Sequence, residues 1–131
     1  MERLVADFKG ALRIELHHNP LAMHRYAFDA AAAAKAAQRQ GRFWEYHELL
    51  LTAQRFDRDT LIALAATSGC DRDAFIRDFD DSGLRRQVTA QAKEALDAGA
   101  LGTPGFVING HVEVGWASTA WMEQVIRKHM R

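Results

Sequence analysis

Gly102-Thr103-Pro104-Gly105-Phe106-Val107-Ile108-Asn109-Gly110-His111-Val112-Glu113-Val114 is the stretch on which the fold turns. At its centre, Asn109-Gly110 is the strongest short signal for a two-residue β-hairpin, because both residues tolerate the positive φ angles that such a turn demands. On its N-terminal side, Gly105 to Ile108 is a short apolar run without polar alternation, which predicts a strand covered on both faces. On its C-terminal side, His111 to Trp116 supplies the returning strand, with Val112 and Val114 on one face. Pro104 stands at the entrance and has no N–H to give to a ladder. Two turns suit it. One is an ordinary trans turn; the other is a cis bond that bends the chain sharply and leaves the preceding N–H and C=O for a partner. The tetrapeptide Gly102–Gly105 alone leaves both open.

Beyond the hairpin, Ser118 or Thr119 caps a last helix to His129, with Trp121, Met122, Val125 and Ile126 as its core stripe. Before it lie five predicted helices: Pro20–Gln40, Phe43 to about Ala53, Thr60–Thr67, Arg72–Asp80 and Gly83–Ala98. Their signals are Asp57 or Asp59, Asp71 and Ser82 at the starts, and Gly41, Gly69 and Gly99 at the ends. Ala11 to His17 alternates, with Leu12, Ile14 and Leu16 on one face, as in a half-buried strand. Met1 to Phe8 reads as a short helix closed by Lys9-Gly10. No repeat, low-complexity linker or boundary interrupts this order, so the sequence predicts one α/β domain over residues 1–131.

Composition excludes several classes of function. The chain has 131 residues, 48% of them hydrophobic, which suits one core. Lys+Arg and Asp+Glu both total 17, and this balance argues against a broad footprint for nucleic acid or anionic membrane. The Arg85-Arg86 pair reads as a solvated helix face. Ala30 to Ala34 is far shorter than the ~20 apolar residues of a membrane span. Met1 to Asp7 carries acids and no apolar signal region, so no N-terminal export signal is expected. Cys70 is the only cysteine, which rules out an intrachain disulfide. It reads as a small buried hydrophobe. The six histidines show neither His-x-x-x-His nor Cys/His spacing, so no metal site is expected even where Glu15 and His17, or His47 and Glu48, share an element. Phe43, Trp44, Tyr46, Trp116 and Trp121 read as core aromatics. No nucleotide, phosphate or hydrolase motif is present, and no cofactor is expected.

Three segments, in order, resemble the DsbA-like thioredoxin-fold family of thiol–disulfide oxidoreductases. Pro20-Leu21-Ala22-Met23-His24 is similar to its Pro-Leu-x-x-His. Gly41-Arg42-Phe43-Trp44-Glu45-Tyr46-His47-Glu48-Leu49-Leu50 is similar to its Gly-Lys-Phe-Trp-x-x-His-x-x-Leu helix. Gly99-Ala100-Leu101-Gly102-Thr103-Pro104-Gly105-Phe106-Val107-Ile108-Asn109-Gly110 is similar to its Gly-x-x-Gly-Thr-Pro-x-Phe-x-x-(Asn/Asp)-Gly loop. The resemblance runs from Met1 to Met130. It implies a thioredoxin-like fold with a helical insert at about 21–99 and a C-terminal part at about 100–131, ending in a β-hairpin plus helix. It further implies that Pro104 is a cis-proline and that Gly102, Thr103 and Pro104 bind an extended or unfolded polypeptide substrate.

The departures matter as much. The family opens with a central strand leading to Cys-x-x-Cys, and neither is present in this sequence. Disulfide exchange needs an attacking thiolate and a resolving thiol, so the fold expected here is incomplete and the chain alone carries no catalytic residue. The strand in question lies, in the family, between the counterparts of Leu12–Leu16 and Phe106–Asn109. Its lack leaves two apolar edges, which upstream sequence, closure of the edges or another chain would cover. A homodimer that completes the sheet is therefore an expected partner arrangement. Two other functions stay open: a non-catalytic module that binds peptide or protein, and a glutathione-using enzyme similar to kappa-class transferases and hydroxychromene carboxylate isomerases. By resemblance the compartment is the bacterial periplasm or cell envelope.

Overall fold

The computed structural model describes residues 2–130. In chain order the elements are α1 (Glu2–Asp7), α2 (Ala27–Arg39), α3 (Phe43–Thr52), α4 (Arg58–Thr67), α5 (Arg72–Asp80), α6 (Ser82–Asp97), β1 (Gly105–Ile108), β2 (His111–Val114) and α7 (Thr119–His129). Met1, counted with the first helix above, lies outside the described residues. The chain divides into two compact units, Met1–His17 with Glu94–Arg131, and His18–Lys93.

The second of these units is all helix. Two of its helices start where an aspartate can cap them: the Asp57 side chain accepts the Thr60 N–H at 3.1 Å, and Asp71 accepts the Ala74 N–H at 2.8 Å. Gly69 ends α4 at a φ of +88°, where a side chain would be strained. The core runs from the buried alanines 31–34, 36 and 37 of α2 to Tyr46, Leu61, Phe75, Phe79, Leu84 and Val88. Small residues along α2 let neighbouring helices pack close. Helix α2 starts seven residues later than the proline at position 20 suggests. From Leu21 to Ala27 the backbone makes i→i+3 bonds, His24 N–H to Leu21 C=O and Ala27 N–H to His24 C=O, both at 3.0 Å. Met23 there is 82% exposed, so no apolar burial rewards extending the helix backwards.

Tyr46 is fully buried and donates its hydroxyl to the Leu61 C=O at 2.9 Å. Burial pushes its phenol above the ordinary range. Tyr46→Phe keeps the ring and removes this one hydrogen bond, so urea unfolding is expected to show a loss of about 1 kcal/mol. An unchanged midpoint would mean that the bond contributes nothing net.

Ion pairs tie the helix ends together. Arg39 reaches Asp78 at 2.7 Å and Asp81 at 2.9 Å, and Arg58 is bidentate on Asp80 at 2.6 and 2.7 Å. Three aspartate carboxyls sit below their usual range. Asp57 is held down mainly by the Thr60 N–H, Asp80 by the Arg58 guanidinium, and Asp81 by the Gly83 N–H followed by Arg39. A depressed folded-state value contributes stability that is present above the ordinary carboxylate range of about 4 and lost as pH falls through the folded value. All three groups are solvent-screened, so the effect is expected to be small. The urea midpoint should decline only below that range; a decline beginning near neutrality would contradict the assignment.

In the other unit, β1 and β2 form a two-stranded antiparallel sheet, pairing Gly105 with Val114, Phe106 with Glu113, Val107 with Val112, and Ile108 with His111. Asn109 and Gly110 turn it, with φ of 48° and 85°, as the two-residue loop requires. Phe106 and Ile108 face a cluster of Leu4, Phe8, Met122 and Ile126, joined by Leu12 and Trp121. Ser118 caps α7 by accepting the Trp121 N–H at 3.0 Å.

Two expectations about strands need correction. First, β1 is covered on one face only: Val107 is 53% exposed, as are Val112 (40%) and Val114 (56%) on the same face. An apolar run without alternation does not by itself say that both faces find neighbours. Second, Ala11–His17 is not a strand. Leu12 and Ile14 are half-buried in the predicted alternation, yet residues 12–17 make no backbone–backbone hydrogen bond among the described residues. Side-chain alternation records a covered face, whereas a strand also needs a neighbouring backbone, which these residues lack.

Candidate functional site

The site is built on the loop between α6 and β1. Gly99 leaves the helix at a φ of +87°, and the Ala100 N–H returns to the Ala95 C=O at 2.9 Å. Ala100 is buried, 7% exposed, and anchors the loop. Leu101 then projects outward, 77% exposed. The chain folds back so closely that a Cβ on Gly105 would meet the Gly102 carbonyl oxygen at 2.9 Å and the Ala100 Cβ at 3.1 Å. Only glycine fits there.

Between these glycines, the Thr103–Pro104 peptide bond is cis. The Pro104 C=O accepts the Gly115 N–H at 2.8 Å, which ties the loop to the hairpin. Thr103 and Pro104 are exposed and Gly102 is half-buried, so the three predicted site residues form one accessible surface. Neither the N–H nor the C=O of Thr103 has a hydrogen-bond partner among the described residues. Leu101, Val114 and Trp116 are 77%, 56% and 40% exposed, and Val114 Cγ1 would lie 3.5 Å from a Cβ on Gly102.

Trp44 and Trp116, read from sequence as core, are 53% and 40% exposed, whereas Tyr46 is fully buried. For Trp44 the difference lies in helix geometry. On α3, Tyr46 belongs to the cluster that holds the α2 alanines, while Trp44, among the described residues, meets only the rings of Phe43 and His47, edge-on at 4.9 and 5.8 Å, and stays half exposed. Cys70 is buried, 9% exposed, with its Sγ 3.4 Å from the Ser68 Oγ.

A second polar cluster escaped the sequence reading. His111 on β2 stacks on His129 of α7, ring centroids 4.0 Å apart. The His129 Nε2 is buried without a hydrogen-bond partner and lies 3.6 Å from Glu113 Oε1. Asn109 Nδ2 donates to the His129 C=O at 2.8 Å. The signal was available: placing Val112 and Val114 on one face puts His111 and Glu113 on the other, which α7 covers. Among the described residues no group of three His, Cys, Asp or Glu side chains could hold a metal ion, and no helix is long and apolar enough to cross a membrane.

A family model described as a DSBA-like thioredoxin domain matches residues 1–127. A solved structure, a thioredoxin-like oxidoreductase from Silicibacter pomeroyi DSS-3, superposes with a TM-score of 0.78 at 21% identity, covering 96% of this chain and 76% of that one. At that identity the likeness concerns the fold. Among curated sequences, the chain is 35% identical over 108 residues to the Na(+)/H(+) antiporter NhaA of Herminiimonas arsenicoxydans and 37% identical over 113 residues to NhaA 3 of Salinispora tropica. The matched stretches take 82% and 84% of this chain but only 17% of either antiporter's length.

Proposed function

This chain belongs to the DSBA-like thioredoxin domain family, and from that membership we propose that it holds an extended polypeptide for thiol–disulfide interchange, gripping it at Thr103 and Pro104. One observation carries the reading: the exposed Thr103 backbone offers a donor and an acceptor that nothing within the described residues uses. An extended chain laid beside it gains two backbone hydrogen bonds, the mode of strand addition. Side chains of such a polypeptide would find the exposed Leu101, Val114 and Trp116 nearby.

The chemistry follows from the thiol count. Exchange proceeds by thiolate attack on a disulfide sulfur, forming a mixed disulfide that a second thiol resolves. Cys70 is the single cysteine and is buried, so both reacting thiols come from outside these 131 residues in this reading. The chain alone is expected to leave the reductant-driven precipitation of insulin at the rate of the reductant blank. A rate above the blank would refute the assignment of the chemistry to other residues.

The grip is tested separately, by titrating the chain against a fluorescently labelled, reduced and alkylated polypeptide. Thr103→Pro removes the N–H and is expected to weaken binding about two- to twelve-fold, since one hydrogen bond contributes ~0.5–1.5 kcal/mol and about 1.4 kcal/mol is tenfold. Thr103→Ala keeps the backbone and should bind as the parent does. Equal binding by the proline variant would remove the backbone grip. A binding module without redox chemistry is the rival reading, favoured by the lone buried cysteine; it predicts that joining the chain to a Cys-x-x-Cys segment produces no exchange activity.

A further inference from the structure

The cluster of His111, Glu113 and His129 has no part in the Thr103–Pro104 grip. His129 is the last residue of α7, and its side chain is 9% exposed. Its Nε2 is buried with no hydrogen-bond partner among the described residues, and Glu113 Oε1 stands 3.6 Å away, just beyond a hydrogen bond. The His111 ring covers it at 4.0 Å, tilted by 20°. Asn109 Nδ2 donates to the His129 C=O at 2.8 Å, so the turn is tied to the same residue. A buried polar atom without a partner is costly and uncommon in a folded chain.

The protonation states of the ring differ in what they make of this arrangement. Neutral, with its proton on Nδ1, the ring sets a nitrogen lone pair against a carboxylate, acceptor against acceptor. Neutral, with its proton on Nε2, it leaves a buried N–H short of its acceptor. Protonated, it is a cation beside the Glu113 carboxylate and at the C-terminal end of a helix, where positive charge is favoured. We propose that His129 is a pH-sensitive clamp: the protonated ring pairs with Glu113 and fastens β2 to α7, and loss of the proton loosens that contact.

The other charged groups nearby leave this sign unchanged. From β2, a proton on His111 opposes one on His129, but His111 is exposed and its charge is screened by water. β1 carries no titratable side chain. On α7, Arg127 is engaged with Glu123 at 2.7 Å, and Lys128 is exposed. On α1, Arg3 meets Asp7 at 3.6 Å, and Glu2 is exposed. Histidine is the side chain that ordinarily changes charge between about pH 5 and 8. The attraction to Glu113 exists only in the folded chain. The clamp therefore holds on the acid side of that window, down to the ordinary carboxylate range of about 4, and is lost on the alkaline side. The strand it fastens leads into Gly115, whose N–H holds the Pro104 C=O.

The experiment is hydrogen–deuterium exchange on the full chain at about pH 5.5 and about pH 8, the two ends of the histidine window, with each rate corrected for the intrinsic effect of pH. Protection of β2 and of the last turn of α7 is expected to be about three-fold or more higher at the lower pH. Glu113→Gln keeps the side chain's shape and removes its charge, and it should abolish the difference. His129→Gln should do the same, while His111→Gln should keep it. If His129→Gln fails to fold, Glu113→Gln decides alone. No difference in the parent chain, or a difference that persists in Glu113→Gln, overturns the proposal. So does a difference lost in His111→Gln, which would place the proton on the other ring.

Discussion

Phe75→Ala is expected to lower the unfolding free energy of the helical unit by about 3–5 kcal/mol, the largest loss from any one substitution considered for this chain. The ring is fully buried between two others, with Tyr46 and Phe79 centroids each 5.7 Å away. Removing it forfeits the transfer energy of the ring and opens a cavity that stiff neighbours cannot fill. Tyr46 is held by its bond to Leu61, and the α2 alanines opposite have no side-chain length to give. Small domains have only about 5–15 kcal/mol in total, so the variant should sit near the edge of folding. Far-UV circular dichroism under urea measures it. A loss under about 1.5 kcal/mol would show that the helices repack around the gap, and the alanine stripe could not then be the rigid wall described here.

How much of this was legible beforehand depends on where each signal comes from. Local chemistry read well: Asp57, Asp71 and Ser118 cap the helices they were assigned to, and Asn109-Gly110 turns the hairpin. These features depend on a few adjacent residues. Features that depend on a distant neighbour read poorly. The alternation of Leu12, Ile14 and Leu16 states which way side chains point, but not whether another backbone lies alongside. The apolar run from Gly105 to Ile108 gives no sign that Val107 remains exposed. Helix α2 begins at Ala27 because burial starts there, while Pro20 only permits an earlier start. The His111–His129 stack joins two elements 18 residues apart in sequence and needed the hairpin register to be seen. For the loop itself, residue identity left two turns open at Pro104. Only the glycines on either side, with their close approach, define its path.

That close approach gives the second large effect. Gly105→Ala is expected to lower the stability of the hairpin unit by about 1–3 kcal/mol, as overpacking does, and to weaken capture of an unfolded polypeptide at least as strongly as Thr103→Pro. The new methyl would stand 2.9 Å from the Gly102 carbonyl oxygen and 3.1 Å from the Ala100 Cβ. The first contact is backbone, and Ala100 is buried, so neither can swing aside as a long side chain would. Relief has to come from the segment between them, which carries Thr103 and Pro104. Gly110→Ala is the matching control. Its φ is +85° with nothing within 4 Å of the added Cβ, so it imposes backbone strain of about 1 kcal/mol or more without contacting the loop. If both variants lose stability but only Gly105→Ala loses binding, the grip resides in the path of the loop, not in hairpin stability. If the two lose binding in proportion to stability, the hairpin as a whole is what the polypeptide meets, and Thr103 holds no special place on it.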